Sequence, residues 1–206
     1  MSGGGGISQS FDLYKLASVP TFSDYTTTSG RTSVSSGLVG GESTAVILWG
    51  GQSLSANYGD TPYTPSSNKV QQINIHDGTV YELKDPVLGV GGTDGSFIGR
   101  TGDALISAGL WDRVIFIPIA VGGASSAEWS TGGGTWHHRF HVAVNRARQH
   151  GYTITAVLWD QGNYEAINGV AASVWTANTT ALIAASRQMD PIVKDAPWFI
   201  ARDSAA

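Results

Sequence analysis

The first residue of this sequence that could carry out chemistry is Ser53, which follows a short apolar run. The run, residues 45–49, reads Ala-Val-Ile-Leu-Trp and ends in Gly50-Gly51. A glycine turn after a buried strand exposes a following hydroxyl, and backbone N–H groups at the start of the next segment can stabilise negative charge there. Ser53 is therefore a candidate nucleophile, although serine needs a base to react. The alternative is that Ser53 only caps a helix.

Two further apolar runs end in polar loops that contain glycine. Residues 114–120 lead into loop 121–125, and residues 154–159 lead into loop 160–163. Ligands of open α/β sheets bind outside the carboxyl ends of the strands. The order of the elements therefore predicts that three loops, including the one with the candidate nucleophile, meet at one edge and form a site.

Helical patterns lie between the apolar runs. They cover residues 100–108, 136–150 and 173–189, and residues 198–201 form a fourth apolar run. Strands that alternate with helices are typical of a parallel sheet with covering helices and right-handed crossovers. The sequence predicts an α/β protein with three layers, α/β/α.

The first part of the chain has a different composition. Residues 1–43 are rich in glycine, serine and threonine and show no lasting period, which predicts an N-terminal arm or linker. Residues 44–206 carry the strand and helix patterns and are expected to form the domain. Two roles for the arm stay open: a tail without function, or a segment that docks onto a partner or neighbouring subunit.

Composition argues against several kinds of protein. The chain of 206 residues has a net charge of −4 and no run of lysine or arginine, so nucleic acid is not an expected partner. It has no cysteine, which excludes disulfides, thiolate metal sites and a cysteine nucleophile. No apolar run approaches the ~20 residues of a transmembrane helix, and the N-terminus lacks signal-peptide features. We expect no membrane partner, and the compartment is not determined.

Four motifs occur in order on the predicted elements. They are Gly51-Gln52-Ser53, Gly95-Ser96-Phe97 in a segment that begins at Asp85, the Gly-Gly block of residues 118–125, and Trp159-Asp160-Gln161-Gly162. Together they resemble the sialate O-acetylesterase-like family of SGNH or GDSL-type hydrolases. The resemblance extends over about residues 44–201. It implies an SGNH-hydrolase or flavodoxin-like sheet.

The resemblance also implies a reaction. Ser53 would attack the carbonyl carbon of an acetyl ester on a sugar. The oxyanion would be held by the backbone N–H of Ser53, a backbone N–H near Gly95 and the side-chain amide of Gln161. Losing one such donor typically lowers the rate about 10²–10³-fold. An acetylated glycan is the expected substrate, and no cofactor is expected.

Residues near this nucleophile are expected to bind substrate or to shape its site. The glycines of the second loop would let the backbone turn closely past the site, or would only end a strand. Aromatic side chains in the loops could stack on sugar rings. The expected set consists of Gln52, Gly122, Gly123, Trp129, Asn163, Tyr164 and His138.

The sequence departs from the family at the nucleophile loop and at the base. Leu54, Asp160 and Asn163 stand where the family usually has Asn, His and Glu. The family's base is a histidine in an Asp-x-x-His motif near the C-terminus, and the 206 residues contain no such motif. Three explanations stay open: a fragment of a longer polypeptide, a C-terminal part removed or supplied as another chain, or a fold kept for a non-catalytic purpose. We favour missing C-terminal sequence.

Two functions follow from these observations. The first is a serine-type carbohydrate O-acetylesterase. The second is a catalytically inactive esterase-like domain that binds glycan or builds a larger assembly, such as a phage particle. His137 and His141 are four residues apart on a predicted helix, which suits a metal, but no third ligand is evident and no metal site is predicted.

Overall fold

Six strands form one sheet at the centre of the molecule. The computed structural model describes residues 19–131 and 133–201. The strand order is β3-β2-β4-β1-β5-β6, and only β3 runs antiparallel to its neighbour. The strands are β1 (Thr44–Gly51), β2 (Val70–Ile73), β3 (Val80–Glu82), β4 (Arg113–Pro118), β5 (Ala156–Asp160) and β6 (Trp198–Ile200). The predicted α/β class with a parallel sheet is confirmed, and β2 and β3 are added to the four predicted strands.

Helices cover both faces of the sheet. They are α1 (Ile98–Ser107), α2 (Ser126–Trp129), α3 (His137–Gln149), α4 (Asn163–Ile167) and α5 (Ala172–Met189), with a 3₁₀ turn at Ser53–Ser55. The predicted helical segments correspond to α1, α3 and α5. The short α2 was not predicted, although Ser125 and Glu128 form a capping box at its start.

Alternate residues of β1 pack against different helices. Leu48 points into a cluster with Phe140 of α3 and Leu182 of α5. Its neighbour Trp49 points into a second cluster, which includes Ile98 of α1. Successive side chains of a strand face opposite sides, so a strand covered on both sides must be apolar throughout. This requirement explains the continuous apolar run in β1.

The register of the parallel strands brings their carboxyl ends to one edge. Trp49 of β1 pairs with Pro118 of β4, and Gly51 pairs with Asp160 of β5. The loops after β1, β4 and β5 therefore start side by side, as the order of elements predicts. Gly51 has φ 128°, and a Cβ there would lie 1.9 Å from the carbonyl oxygen of Asp160. Only glycine permits this approach.

The described part of the predicted arm is attached to the domain. The N–H of Val34 donates to the carbonyl of Val80, and Glu82 donates to Thr32, so this segment runs beside β3. The buried guanidinium of Arg113 donates to the carbonyls of Ser35 and Gly37. Residues 1–18 of the arm lie outside the described residues. Among the residues described, no helix is long and apolar enough to cross a membrane.

A buried ion pair anchors the start of this segment. Nη1 of Arg139 lies 2.8 Å from Oδ2 of Asp24, and both side chains are 0% exposed. Nε2 of His76 lies 2.9 Å from the same carboxylate oxygen. The carboxylate thus joins residues 19–25 to α3 and to the turn after β2. Removing one partner of a buried pair leaves the other charge without compensation.

We therefore predict that Asp24→Asn lowers the free energy of unfolding by about 3 kcal/mol, because Arg139 stays buried without its counter-charge. Urea unfolding followed by tryptophan fluorescence measures the change. Asp195→Asn is the matched control, since the side chain of Asp195 is 87% exposed. Equal stability of the two variants would contradict the anchoring role of Asp24.

Candidate active site

Ser53 lies in the 3₁₀ turn directly after β1, at the edge where the loops meet. It is half-buried and lines a cavity of about 420 Å³. Within the described residues, neither its hydroxyl nor its N–H makes a hydrogen bond. The cavity is lined by Ser53, Leu54, Ala56, Tyr58, Gly59, Asp60, Thr61, Gly95, Ser96, Phe97 and Arg100. Two of the expected catalytic residues, Ser53 and Gly95, therefore lie on one cavity.

The segment around Gly95 is held beside the Ser53 turn by backbone pairing. The N–H of Gly95 donates to the carbonyl of Gly59 at 2.8 Å, and Gly59 donates back at 2.8 Å. The N–H of Ser96 donates to the Asp85 carboxylate at 2.9 Å. The N–H groups of Gly95 and Ser96 thus already have acceptors. An oxyanion donor from this segment must come from another N–H, or must exchange a partner.

The side chain of Gln52 connects the Ser53 turn to the loop after β5. Its Oε1 accepts hydrogen bonds from the N–H of Gly162 at 3.2 Å and of Tyr164 at 3.1 Å. Its own N–H donates to the carbonyl of Asp160 at 2.9 Å. Gln52 is only 4% exposed. Gln52 thus holds the loop from inside the protein, and its expected contact with substrate stays a prediction.

Gln161 is buried next to this connection, with its whole amide engaged. Its Nε2 donates to Oε2 of Glu165 at 2.6 Å and to the carbonyl of Ala124 at 3.3 Å. Its Oε1 accepts from the indole N–H of Trp175 at 2.6 Å. An amide nitrogen has two hydrogens, and both have acceptors here. To act as an oxyanion donor, Gln161 must exchange one of these acceptors for the substrate.

The residues expected to contact a sugar differ in how deeply they are buried. Trp129 is 1% exposed, and its ring packs edge-on against Trp159 at a centroid distance of 5.0 Å. Trp129 is therefore a core residue in this structure, and its expected contact with a sugar stays a prediction. Asn163 and Tyr164 are half-buried at the start of α4. Neither residue belongs to the lining of the Ser53 cavity.

The two loop glycines differ in their surroundings. Gly122 is half-buried, and a Cβ there would lie 3.1 Å from the hydroxyl of Tyr58, which lines the cavity. Gly123 is exposed with φ 72° and open space around it. Gly122 thus lets the loop pass close to a cavity residue, whereas Gly123 only provides the turn.

None of the five histidines lines the Ser53 cavity. His76 contacts Asp24, and Nε2 of His150 donates to the carbonyl of Gly78 at 2.7 Å. His138, expected near the substrate, is half-buried at the start of α3, where burial and the neighbouring His137 lower its pKa. The structure thus brings Ser53 and Gly95 together but places no histidine beside them.

His137 and His141 contact each other on α3. Their Nε2 atoms are 3.2 Å apart, and Nδ1 of His137 lies 3.1 Å from the carbonyl of Trp129. Because a carbonyl only accepts, Nδ1 of His137 carries hydrogen, and His141 is the donor to a neutral His137. In the parts of the chain that the structure describes, no three His, Cys, Asp or Glu side chains form a group that could hold a metal.

Several cavity residues were not predicted from the sequence. Tyr58, Asp60 and Thr61 come from the loop after the 3₁₀ turn, and Phe97 and Arg100 come from the start of α1. The only available signal was that Phe97 directly follows Gly95-Ser96 of the second motif. Three of the lining side chains are large, apolar and exposed: Leu54 at 47%, Tyr58 at 49% and Phe97 at 43%.

A parallel sheet covered on both faces, with a serine in the turn after a central strand and the loops gathered at the carboxyl edge, defines an α/β fold of the SGNH-hydrolase type. Residues 102–201 match the family described as carbohydrate esterase, sialic acid-specific acetylesterase. The family resemblance predicted from the motifs is confirmed over these residues.

Solved structures show the same fold. A protein from Arabidopsis thaliana superposes with a TM-score of 0.62 at 18% identity, covering 77% of this chain and 73% of the other. NanS superposes with a TM-score of 0.56 at 13% identity, covering 82% of this chain and 70% of the other. No curated protein sequence matches the chain significantly.

We predict that Gln52→Met makes the loop after β5 more mobile. The N–H groups of Gly162 and Tyr164 lose their acceptor, which lowers stability by about 1–3 kcal/mol. Relative to the wild-type chain, hydrogen exchange should accelerate at these two amides and should change less at amides of β1. Gln149→Met, an exposed position at the end of α3, is the control with the same change of side chain. Unchanged exchange at Gly162 would contradict the connecting role of Gln52.

A second prediction concerns His141. Burial lowers its pKa to about 4, reinforced by the repulsion that protonated His137 and His138 would exert on a charged His141. An unfolded histidine protonates near 6.5, so the unfolded state binds more protons between about pH 6.5 and 4. Stability should therefore fall as the pH falls through this window, and His141→Gln should remove this contribution.

NMR titration of the ring Cε1–H signals measures the protonation of His141 directly. We expect its signal to stay in the neutral position until the pH approaches 4. Titration of His141 close to the unperturbed value of about 6.5 would show that its environment is solvated.

Proposed function

We propose that this chain hydrolyses O-acetyl esters of carbohydrate, with Ser53 as the nucleophile. The observation that carries the proposal is the shared cavity of Ser53 and Gly95, in a chain whose residues 102–201 match a carbohydrate-esterase family. The hydroxyl of Ser53 has no hydrogen-bond partner among the described residues, so it is available to a substrate. The cavity is within the usual size range of small-molecule sites, roughly 300–1,000 Å³.

The proposed reaction has two steps. Oγ of Ser53 attacks the acetyl carbonyl carbon, a base takes the hydroxyl proton, and the sugar hydroxyl leaves as the acetyl-enzyme forms. Water then attacks the acetyl-enzyme and releases acetate. The N–H of Ser53 is the proposed first oxyanion donor, because it has no acceptor among the described residues. Such a donor is effective because it is already oriented before charge develops.

Gln161 is the proposed second oxyanion donor, at one of its two hydrogens. Its hydrogen bond to Ala124, at 3.3 Å, is longer than the one to Glu165 at 2.6 Å. The longer bond is the weaker of the two. We propose that the hydrogen now directed to Ala124 turns to the oxyanion, while Glu165 continues to hold the amide. The carboxylate then acts as a positioning group.

Two exposed aromatic rings are further candidates for contact with a sugar. Tyr58 and Phe97 line the Ser53 cavity, and each is nearly half exposed. The ring of Phe97 packs edge-on against Trp49 at a centroid distance of 4.4 Å, which fixes its orientation. We propose that these rings support the faces of the sugar.

The proposed reaction requires a base that accepts the hydroxyl proton of Ser53. No histidine lines the cavity, so the proton of Ser53 needs an acceptor from outside this lining. This observation also favours a second candidate function, an esterase-like domain that binds glycan without hydrolysing it. The two candidates differ in whether Ser53 can be acylated when a base is supplied.

We predict that the chain hydrolyses 4-nitrophenyl acetate slowly and that added imidazole increases the part of the rate that depends on Ser53. Imidazole can take the proton that no cavity histidine takes. Ser53→Ala provides the background, including the reaction of imidazole itself. Ser130→Ala, away from the cavity, is the control for loss of a serine. Mass spectrometry of the quenched reaction should detect acetyl-Ser53.

Equal rates for the wild-type chain and Ser53→Ala, with and without imidazole, would contradict the esterase proposal for this chain. In that case the glycan-binding candidate predicts that acetylated sugars still perturb the NMR signals of Tyr58 and Phe97. A rate that depends on Ser53 but not on imidazole would show that a base is already present.

A further inference from the structure

Among the described residues that line the Ser53 cavity, Arg100 is the only one with a cationic side chain. It lies in the first turn of α1 and is exposed. Its guanidinium carbon is 4.1 Å from the centroid of the Tyr63 ring. A guanidinium stacked on an aromatic ring keeps its N–H groups free at the edges, where they can meet an acceptor. A positive charge with free donors therefore lies on the same cavity as the proposed nucleophile.

The ring beneath Arg100 is itself held in place. The hydroxyl of Tyr63 donates to Oδ2 of Asp103 at 2.7 Å. The same carboxylate accepts the N–H of Ser66 at 2.7 Å and of Ser67 at 3.2 Å. Asp103 follows Arg100 by three residues on α1, so both partners of the ring come from one face of one helix. The guanidinium is therefore oriented before a substrate arrives, and a charge oriented in advance stabilises a transition state without reorganisation.

The charge of Arg100 is not used within the described protein. No carboxylate of residues 19–131 or 133–201 lies within 4 Å of its guanidinium nitrogens. Asp60 is the one acidic side chain in the lining of the cavity, and it forms no such pair with Arg100. By contrast, the buried Arg139 is paired with Asp24. The charge of Arg100 is thus available to a group that enters the cavity.

The segment around Gly95 offers no comparable donor in its present arrangement. The N–H of Gly95 donates to a backbone carbonyl, and both the N–H and the hydroxyl of Ser96 donate to the carboxylate of Asp85. Gln161 lies outside the lining of the cavity. Negative charge that forms on the α1 side of the cavity therefore has Arg100 as its one cationic neighbour among the described lining residues.

We propose that Arg100 is a catalytic residue that stabilises the negative charge formed on the acetyl oxygen during hydrolysis, which rests on the proposed function of Ser53. When Oγ of Ser53 bonds to the carbonyl carbon, an electron pair of the C=O bond moves to the acetyl oxygen, and the base takes the Ser53 proton. When the pair returns, the ester bond to the sugar breaks, and the sugar oxygen takes a proton from the protonated base. The guanidinium interacts most strongly while the oxygen is charged, so it lowers the barrier without tightening substrate binding.

The experiment measures hydrolysis of 4-nitrophenyl acetate in the presence of imidazole, with the rate of Ser53→Ala subtracted. This ester is uncharged, so Arg100 has no ionic group to bind in the ground state. We expect Arg100→Gln to lower kcat about 10-fold and to leave KM unchanged. The loss is smaller than for an enclosed oxyanion donor, because Arg100 is exposed and solvent screens its charge.

Two further measurements separate a role of the charge from a role in folding. Arg100→Lys should retain part of kcat, since a lysine keeps the charge but loses the planar pair of donors. Raising NaCl from about 0.05 M to about 0.5 M should slow the wild-type chain but not Arg100→Gln, because salt screens an exposed charge. Lys194→Gln is the control for the loss of one positive charge, because Lys194 is outside the cavity lining.

A lower kcat in Arg100→Gln, together with loss of the salt dependence, supports the proposal. Three results would overturn it while the proposed function of Ser53 stands: an unchanged Ser53-dependent rate in Arg100→Gln, a loss that appears only in KM, or an equal loss in Lys194→Gln. Absence of any Ser53-dependent rate, with imidazole present, would overturn both the role of Arg100 and the esterase proposal.

Discussion

The contact between β1 and β5 at Gly51 and Asp160 joins the turn that carries Ser53 to the loop that carries Gln161. The backbone of β1 comes so close to Asp160 that no side chain fits at Gly51. Gln52 then accepts the N–H groups of the next loop, so the turn that carries Ser53 and the loop that carries Gln161 form one unit. A parallel sheet makes this possible because neighbouring strands end at the same edge.

Most residues that line the cavity come from the loop after the 3₁₀ turn, the segment around Gly95 and the start of α1. The segment around Gly95 pairs with Gly59, and the start of α1 adds Phe97 and Arg100. The loop after β5 therefore contacts the Ser53 turn through Gln52, whereas the segments before and at the start of α1 line the cavity. Gln52, which makes this contact, is only 4% exposed.

Two arginines, Arg139 and Arg100, lie in contrasting electrostatic surroundings. The pair of Asp24 and Arg139 is fully buried and holds the N-terminal segment against α3, so its role is structural. Arg100 is oriented by an aromatic ring but has no carboxylate partner among the described residues, so its charge faces the cavity. Sequence alone does not distinguish these two arginines, because both stand in predicted helical segments. Their surroundings come from residues distant in the chain.

The sequence by itself determined the class of the fold and the edge at which the site lies. Continuous apolar runs must be buried on both faces, and alternation with helices makes the sheet parallel, so the loops of Ser53 and Gln161 had to meet. Only the tertiary structure decided what each loop residue contacts. The hydrogen bond of Gln161 with Trp175, at 2.6 Å, and the stacking of Arg100 on Tyr63, at 4.1 Å, depend on how closely separate segments of the chain approach each other. No periodicity or spacing within one segment encodes such distances.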